Sequence, residues 1–145
     1  MNRRAELGMA MFLIAEAVFF FLLILAFVYF GAIPRRIAPV GWFFTSLLLA
    51  STLSMWRAAS SATGGSRWWR CVTIALGVAF LVYQTILVRN TFFILAGIHG
   101  LHVLAGLIAL AIGPASALRP IALYWYFFVL VWLVIVLVIY LRSAA

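Results

Sequence analysis

The chain has 145 residues, of which 69% are apolar, 17% aromatic and only 8% charged, and its formal net charge is +8. A soluble domain is about 45–50% apolar and about 25% charged, so the composition excludes a soluble globular protein. All the basic residues are arginines that stand singly or in pairs between apolar runs, a pattern that ends membrane spans and does not form a patch for nucleic-acid phosphates.

Five apolar runs follow one another along the chain. Crossing the hydrocarbon core as a helix takes about 20 apolar residues, and Gly, Pro or arginine residues close each run. We predict an all-α integral membrane bundle, a single domain of five transmembrane helices over residues 8–31, 40–57, 71–88, 91–112 and 120–141. The stretch from Arg57 to Arg70, rich in serine and glycine, is expected to be a flexible polar loop.

The arginines also predict the orientation of the bundle. Six of them fall on the side of the N-terminus and four on the other side. Because arginine is enriched in cytoplasmic segments, the N-terminus is expected in the cytoplasm and the C-terminus outside. The run after Arg3 and Arg4 is too long for a signal peptide, so we interpret it as a retained span.

Glu16 is the most informative polar residue, since it lies roughly 12 Å inside the first span at 1.5 Å per residue. A charged carboxylate near the membrane centre costs about 2.5–3.5 kcal/mol on insertion scales. Neither the side chains one helical turn away nor any arginine at that depth offers a partner, so we expect a protonated carboxyl. Two interpretations stay open: a functional group, either a proton-accessible carboxyl or a polar contact with a partner protein, or a neutral carboxyl hydrogen-bonded inside the bundle.

The fourth span carries the only two histidines, His99 and His102, on one helical face with Gly106. Small residues at this spacing allow another helix to approach closely, which favours helix packing through interhelical hydrogen bonds; a proton-transfer or ion-site role is the alternative. Zinc needs about four donors, and the lone Cys71 excludes a multi-cysteine centre. We therefore predict no catalytic residue, no metal site and no cofactor in this chain.

Aromatic residues provide weaker signals. Trp56, Tyr124, Trp125 and Trp132 are candidate contacts with lipid or with an interface. An alternative class is an independent small proton-conducting or transport protein that uses Glu16 and the histidines, but the sequence has neither the internal repeat nor the broken spans typical of transporters.

Taken in order, four segments resemble subunit III of the haem–copper oxidases of the cytochrome c oxidase type. The similarity covers nearly the whole chain. It is carried by Gly8-Met9 with Ala15-Glu16 and Phe19-Phe20, by Thr45-Ser46 with Leu48-Leu49-Ala50-Ser51, by Thr91-Phe92-Phe93 with His99-Gly100-Leu101-His102-Val103, and by Tyr124-Trp125 with Val131-Trp132.

The resemblance implies a non-catalytic accessory subunit of a respiratory terminal oxidase that couples oxygen reduction to proton pumping. Such a subunit packs on catalytic subunit I and other oxidase subunits, stabilises proton uptake and holds structural phospholipid, while haem and copper belong to the partner subunits. Glu16 matches the family's buried glutamate, whereas Tyr126 and Val129 replace a usual His and Asp. Longer members have seven spans, of which these five resemble the last. A quinol oxidase or nitric oxide reductase is the alternative complex, and a prokaryotic cytoplasmic membrane is the expected location.

Overall fold

The computed structural model describes residues 3–30, 40–60, 65–87 and 93–144. They form five long helices, α1 (Arg3–Phe30), α2 (Val40–Ser60), α3 (Gly65–Leu87), α4 (Phe93–Ile112) and α5 (Leu118–Ala144), with a short 3-10 turn over Ala115–Ala117. Helices long and apolar enough to cross a membrane cover Leu7–Phe30, Arg67–Ile86, Ile94–Ile112 and Ala115–Leu141. The predicted all-α membrane bundle is confirmed.

Helix α2 is not among those four apolar helices, because it carries six hydroxyl side chains and Arg57 within its 21 residues. Several of these hydroxyls donate to carbonyls of the same helix; Ser46 donates to Phe43 O at 2.6 Å and Ser51 to Leu48 O at 2.5 Å. Back-bonding of this kind lets Ser and Thr sit in a helix without unpaired polar groups. The second predicted span is therefore a helix, but one without the long apolar stretch found in the other four.

The helices pack as a ring of four with a fifth outside it. Within the described residues, α2 contacts α3 and α5, α4 contacts the same two helices, and α1 contacts only α4 and α5. Much of α1 from residue 7 onward is consequently exposed, and within that described part Phe20 is the one side chain fully buried among the other helices. The core lies between α3, α4 and α5, where Phe80, Leu110 and Ile135 are almost inaccessible.

The expected flexible loop from Arg57 to Arg70 is wrong over most of its length. Helix α2 continues to Ser60 and α3 begins at Gly65. The Arg57 guanidinium lies 5.8 Å from the Trp56 ring centre and 5.6 Å from that of Trp69, within cation–π range. Hydropathy marks the edge of the hydrocarbon layer, whereas these helices extend past that edge with arginine and tryptophan, which suit the interface.

Arg70 links α3 to the end of α4. Its Nη2 donates hydrogen bonds to the carbonyls of Leu110 and Gly113, the latter at 2.8 Å. Leu110 lies in the last turn of α4 and Gly113 directly follows the helix. The carbonyls at a helix C-terminus have no partner in a following turn, and a cation there complements the helix dipole. The sequence also places Pro34 and Arg35-Arg36 at the end of the first predicted span and Arg89 at the end of the third; these residues lie outside the described ones.

Gly77 shows how tightly α3, α4 and α5 pack. A Cβ atom at this position would lie 2.8 Å from Leu107 Cδ2 and 2.8 Å from Trp125 Cη2, closer than carbon atoms approach without displacement. Glycine here lets three helices meet around one point.

We expect Gly77→Ala to lower the free energy of unfolding by about 1–3 kcal/mol, the usual result of overpacking a core. The measurement is the unfolding midpoint in detergent micelles. Gly8→Ala is the matched control, because a Cβ at Gly8 would meet no atom within 4 Å, and alanine there should be neutral or stabilising. Equal midpoints for the two variants would contradict this packing.

Candidate functional site

Glu16 and His102 form the contact that joins α1 to α4. Glu16 Oε2 lies 3.2 Å from His102 Nε2, and the two side chains are 19% and 23% exposed. The contact lies within ion-pair distance, but Oε2 has no partner in hydrogen-bonding geometry among the described residues. The expectation that Glu16 has no partner at its depth is wrong, because the partner comes from a helix far along the sequence.

The hydrogen bond of His102 to the backbone limits how its ring can face Glu16. His102 Nδ1 lies 2.8 Å from the carbonyl of Ile98, and a carbonyl can only accept, so Nδ1 carries a hydrogen. In one arrangement Nε2 is unprotonated and its lone pair faces a protonated Glu16. In the other, Nε2 also carries a hydrogen, and the imidazolium faces the Glu16 carboxylate. Both arrangements are neutral overall, which avoids burying a net charge in the hydrocarbon.

His99 has the opposite hydrogen arrangement. It is fully buried, and its Nε2 lies 3.0 Å from the carbonyl of Phe128 in α5, to which it must donate. Its Nδ1 therefore accepts, and Gln84 Nε2 from α3 lies 3.4 Å away. Gln84 Nε2 also donates to the carbonyl of Ala96, so one amide and one imidazole join three helices.

Aromatic rings enclose the two histidines. Phe20 from α1 lies 5.2 Å from the His102 ring and 5.6 Å from Phe128, centre to centre. The His102 ring stacks on Phe128 at 4.7 Å, and His99 lies 5.1 Å from Trp132. His99 is fully buried among these rings, whereas His102 remains 23% exposed.

Tryptophans connect α5 to α2. Trp125 Nε1 donates to Ser51 Oγ at 3.0 Å, and Trp132 Nε1 donates to Thr45 Oγ1 at 3.2 Å. Both indoles are buried, at 2% and 4% exposure. Their interpretation as lipid or interface contacts is therefore corrected: they are core residues whose N–H groups find partners on a neighbouring helix, as buried Trp usually does.

The remaining candidate residues, Trp56, Tyr124 and Gly106, differ in where they lie. Trp56 is 56% exposed, and the Tyr124 hydroxyl donates to the carbonyl of His102 at 3.0 Å. Gly106 lies against α5, where a Cβ would come 3.1 Å from Tyr124 and 3.2 Å from Trp125. His99, His102 and Gly106 thus all lie in helix–helix contacts.

A metal site needs several donor side chains close together. Within the described part of the chain, no set of three His, Cys, Asp or Glu side chains is close enough to bind one. His99 and His102 each bond to backbone carbonyls of the bundle. The contacts of these side chains are hydrogen bonds and one ion-pair contact between helices.

The chain is similar in sequence to known oxidase subunits. The chain is 27% identical over 92% of its length to cytochrome c oxidase subunit 3 of Synechocystis sp., and 31% identical over 92% to that of Sus scrofa. It is 29% identical over 69% of its length to cytochrome bo(3) ubiquinol oxidase subunit 3 of Pseudomonas aeruginosa. It covers 74%, 67% and 63% of these relatives. No family model matches the chain.

Glu16→Leu should loosen α1, because it leaves His102 Nε2 without a partner in an apolar setting. We expect a loss of about 0.6–2 kcal/mol, the range of single interhelical hydrogen bonds in membranes, seen as faster amide hydrogen exchange in α1. Glu16→Gln is the control, since its amide can donate to Nε2 and should keep exchange near wild type. Identical exchange in all three proteins would contradict the contact.

His99→Leu should destabilise the bundle more than Glu16→Leu does. It removes two hydrogen bonds and leaves the buried Gln84 amide short of an acceptor, which costs roughly 1–3 kcal/mol. The unfolding midpoint in micelles measures this loss. A midpoint equal to that of the wild type would show that the His99 contacts carry no stability.

Proposed function

The chain belongs to the cytochrome c oxidase subunit 3 family, and from that membership we propose that it is a non-catalytic accessory subunit of a respiratory haem–copper terminal oxidase. In this proposal it packs on catalytic subunit I and other oxidase subunits, and it stabilises proton uptake. Haem and copper are held by those partners, and oxygen reduction with proton pumping is the activity of the whole complex.

The proposal rests on one observation: the ionisable side chains inside the bundle contact other helices of the same chain. Glu16 contacts His102, and His99 is held between Gln84 and the carbonyl of Phe128. These side chains fix the helices against one another. A chain whose ionisable groups are committed in this way suits a structural role beside a catalytic subunit.

The location and orientation belong to the same proposal. The apolar helices place the protein in a membrane, and the bacterial relatives support a prokaryotic cytoplasmic membrane. The side of the bundle where α3 begins carries Arg57, Arg67, Arg70 and Arg119. We assign that side to the cytoplasm, since arginine is enriched there.

A quinol oxidase is the second candidate complex. The similarity to the Pseudomonas aeruginosa protein, named as a ubiquinol oxidase subunit, favours it specifically. The electron donor is chosen by other subunits, so the distinction belongs to the complex. Oxygen consumption by the purified complex with reduced cytochrome c, and separately with ubiquinol, identifies the donor.

The proposal predicts that the tagged full chain, extracted in mild detergent, brings a haem-containing partner with it. The measurement is an optical spectrum of the eluate together with its polypeptide bands. His99→Leu is the informative variant, because loss of bundle stability should lower the yield of haem per chain. A colourless wild-type protein that stays folded alone would contradict the accessory role.

A further inference from the structure

An open groove runs along the outer surface between α3 and α4. Its volume is about 750 Å³, and its walls are almost wholly apolar; small-molecule sites have similar linings and volumes of about 300–1,000 Å³. Gln84 from α3 lines the groove together with Gly97 and Gly100 from α4. Gln84 is the one buried polar side chain among the lining residues. The groove thus combines apolar walls with a single buried polar group.

The side-chain amide of Gln84 has one orientation. It is 2% exposed, and its nitrogen donates to the carbonyl of Ala96 and lies 3.4 Å from His99 Nδ1. Because the Ala96 carbonyl can only accept, the amide cannot turn over. Oε1 therefore points away from these groups, and it has no hydrogen-bond partner among the described residues. A buried acceptor usually has a donor, so Oε1 indicates that a bound group supplies one.

Gly100 leaves the Gln84 amide open toward the groove. A Cβ atom at Gly100 would have this amide as its nearest neighbour, with Oε1 at 3.5 Å and Cδ and Nε2 at 3.6 Å. A hydroxyl oxygen that enters this gap and lies about 0.7 Å closer to Oε1 stands at hydrogen-bond distance from it. The gap left by the missing side chain of Gly100 is therefore the route by which a donor reaches Oε1.

Gln84 lies at the end of the groove that is nearer to a membrane surface. It belongs to the last turn of α3, and the apolar part of that helix ends at Ile86. From Thr85 the groove extends along α3 to Ile74, roughly 16 Å at 1.5 Å per residue. The hydrocarbon core is about 30 Å thick, so the groove covers about half of it. A ligand with its polar end at Gln84 has its apolar part directed toward the middle of the membrane.

The occupant of this groove must carry a hydrogen-bond donor on an otherwise apolar body. The ester groups of a phospholipid only accept hydrogen bonds, and acyl chains form none. A transmembrane helix of another protein needs the full thickness of the hydrocarbon core, of which the groove covers half. A quinol has all the required parts: a planar ring that can lie against the two glycines of α4, a hydroxyl that donates, and a linear apolar tail.

We propose that the α3–α4 groove binds a membrane quinol, with its ring against Gly97 and Gly100, one hydroxyl donating to Gln84 Oε1, and its tail directed toward Ile74. The oxidised quinone carries carbonyls in place of the hydroxyls and cannot donate, so it binds more weakly. The proposal concerns binding alone, without electron transfer. This site depends on the membrane placement of the bundle and not on the oxidase that it joins, so the two proposals fail independently.

Isotope labelling of glutamine reports on this site alone, because Gln84 is the only glutamine in the chain. The purified full chain, labelled with ¹³C at glutamine Cδ, is reconstituted in phosphatidylcholine bilayers and titrated without oxygen with decylubiquinol, and separately with decylubiquinone. Solid-state NMR measures the Cδ chemical shift, which moves when Oε1 accepts a hydrogen bond. We expect decylubiquinol to move the signal to saturation and decylubiquinone to bind about tenfold more weakly, since it lacks that hydrogen bond.

Gly100→Ala tests the route to Oε1. The new methyl group lies at ordinary contact distance from the Gln84 amide, so the fold should be kept, but it fills the gap that the hydroxyl needs. We expect the quinol-induced shift to be lost. Gly8→Ala is the matched control on α1, where a Cβ would meet nothing within 4 Å, and it should respond as the wild type does. Unfolding midpoints confirm that each variant is folded; if Gly100→Ala is not, the comparison of quinol with quinone on the wild type decides.

Three results would overturn the proposal. Equal shifts with quinol and quinone, or none with either, would show that no ring hydroxyl donates to Gln84. An equal shift with an aliphatic alcohol such as dodecanol would show that the groove accepts any hydroxyl and does not select a quinol. A Cδ signal that already has the hydrogen-bonded shift in the purified complex, and that quinol does not move, would assign Oε1 to a donor of a neighbouring subunit.

Discussion

A polar group in hydrocarbon must find its partner within the protein, because the lipid offers none, and this constraint organises the bundle. An apolar helix face gains no hydrophobic free energy by moving from lipid to a neighbouring helix, since both surroundings are equally apolar. The few hydrogen-bonding side chains therefore decide which faces meet. Glu16 and His102 connect α1 to α4, Gln84 connects α3 to α4, and His99 connects α4 to α5.

The same rule holds on the far side of the ring. Ser54 and Thr73, 2.8 Å apart, join α2 to α3, while the indoles of Trp125 and Trp132 join α5 to α2. The hydroxyls of α2 thus bond to two of its neighbours, α3 and α5. Together these bonds close the ring of four helices, and α4 serves as the place where the outer helix α1 attaches. An accessory subunit needs a rigid shape more than a reactive group, and this network provides one.

The sequence predicted much of the fold but only part of the site. Apolar runs predict helices because length and hydropathy are local properties, and the intramembrane Glu16 and histidines stood out for their energetic cost. Their partners were beyond reach, since helical spacing relates residues on one helix and says nothing of which helices touch. Trp125 and Trp132 were misjudged for that reason: an indole at the membrane surface and one bonded inside a bundle have the same local sequence signal. The sequence predicts a loop around Arg57 and Arg70 because polar residues usually end a membrane span, yet both lie in helices.

The most direct test of this account is the ¹⁵N NMR spectrum of the two imidazoles in the full chain, labelled at histidine and reconstituted in bilayers. The hydrogen bonds require His99 to carry its hydrogen on Nε2 with Nδ1 bare, and His102 to carry a hydrogen on Nδ1. We predict these two different patterns of protonation. A His99 protonated on Nδ1, or two histidines in the same neutral tautomer, would contradict the proposed helix-to-helix network at its centre.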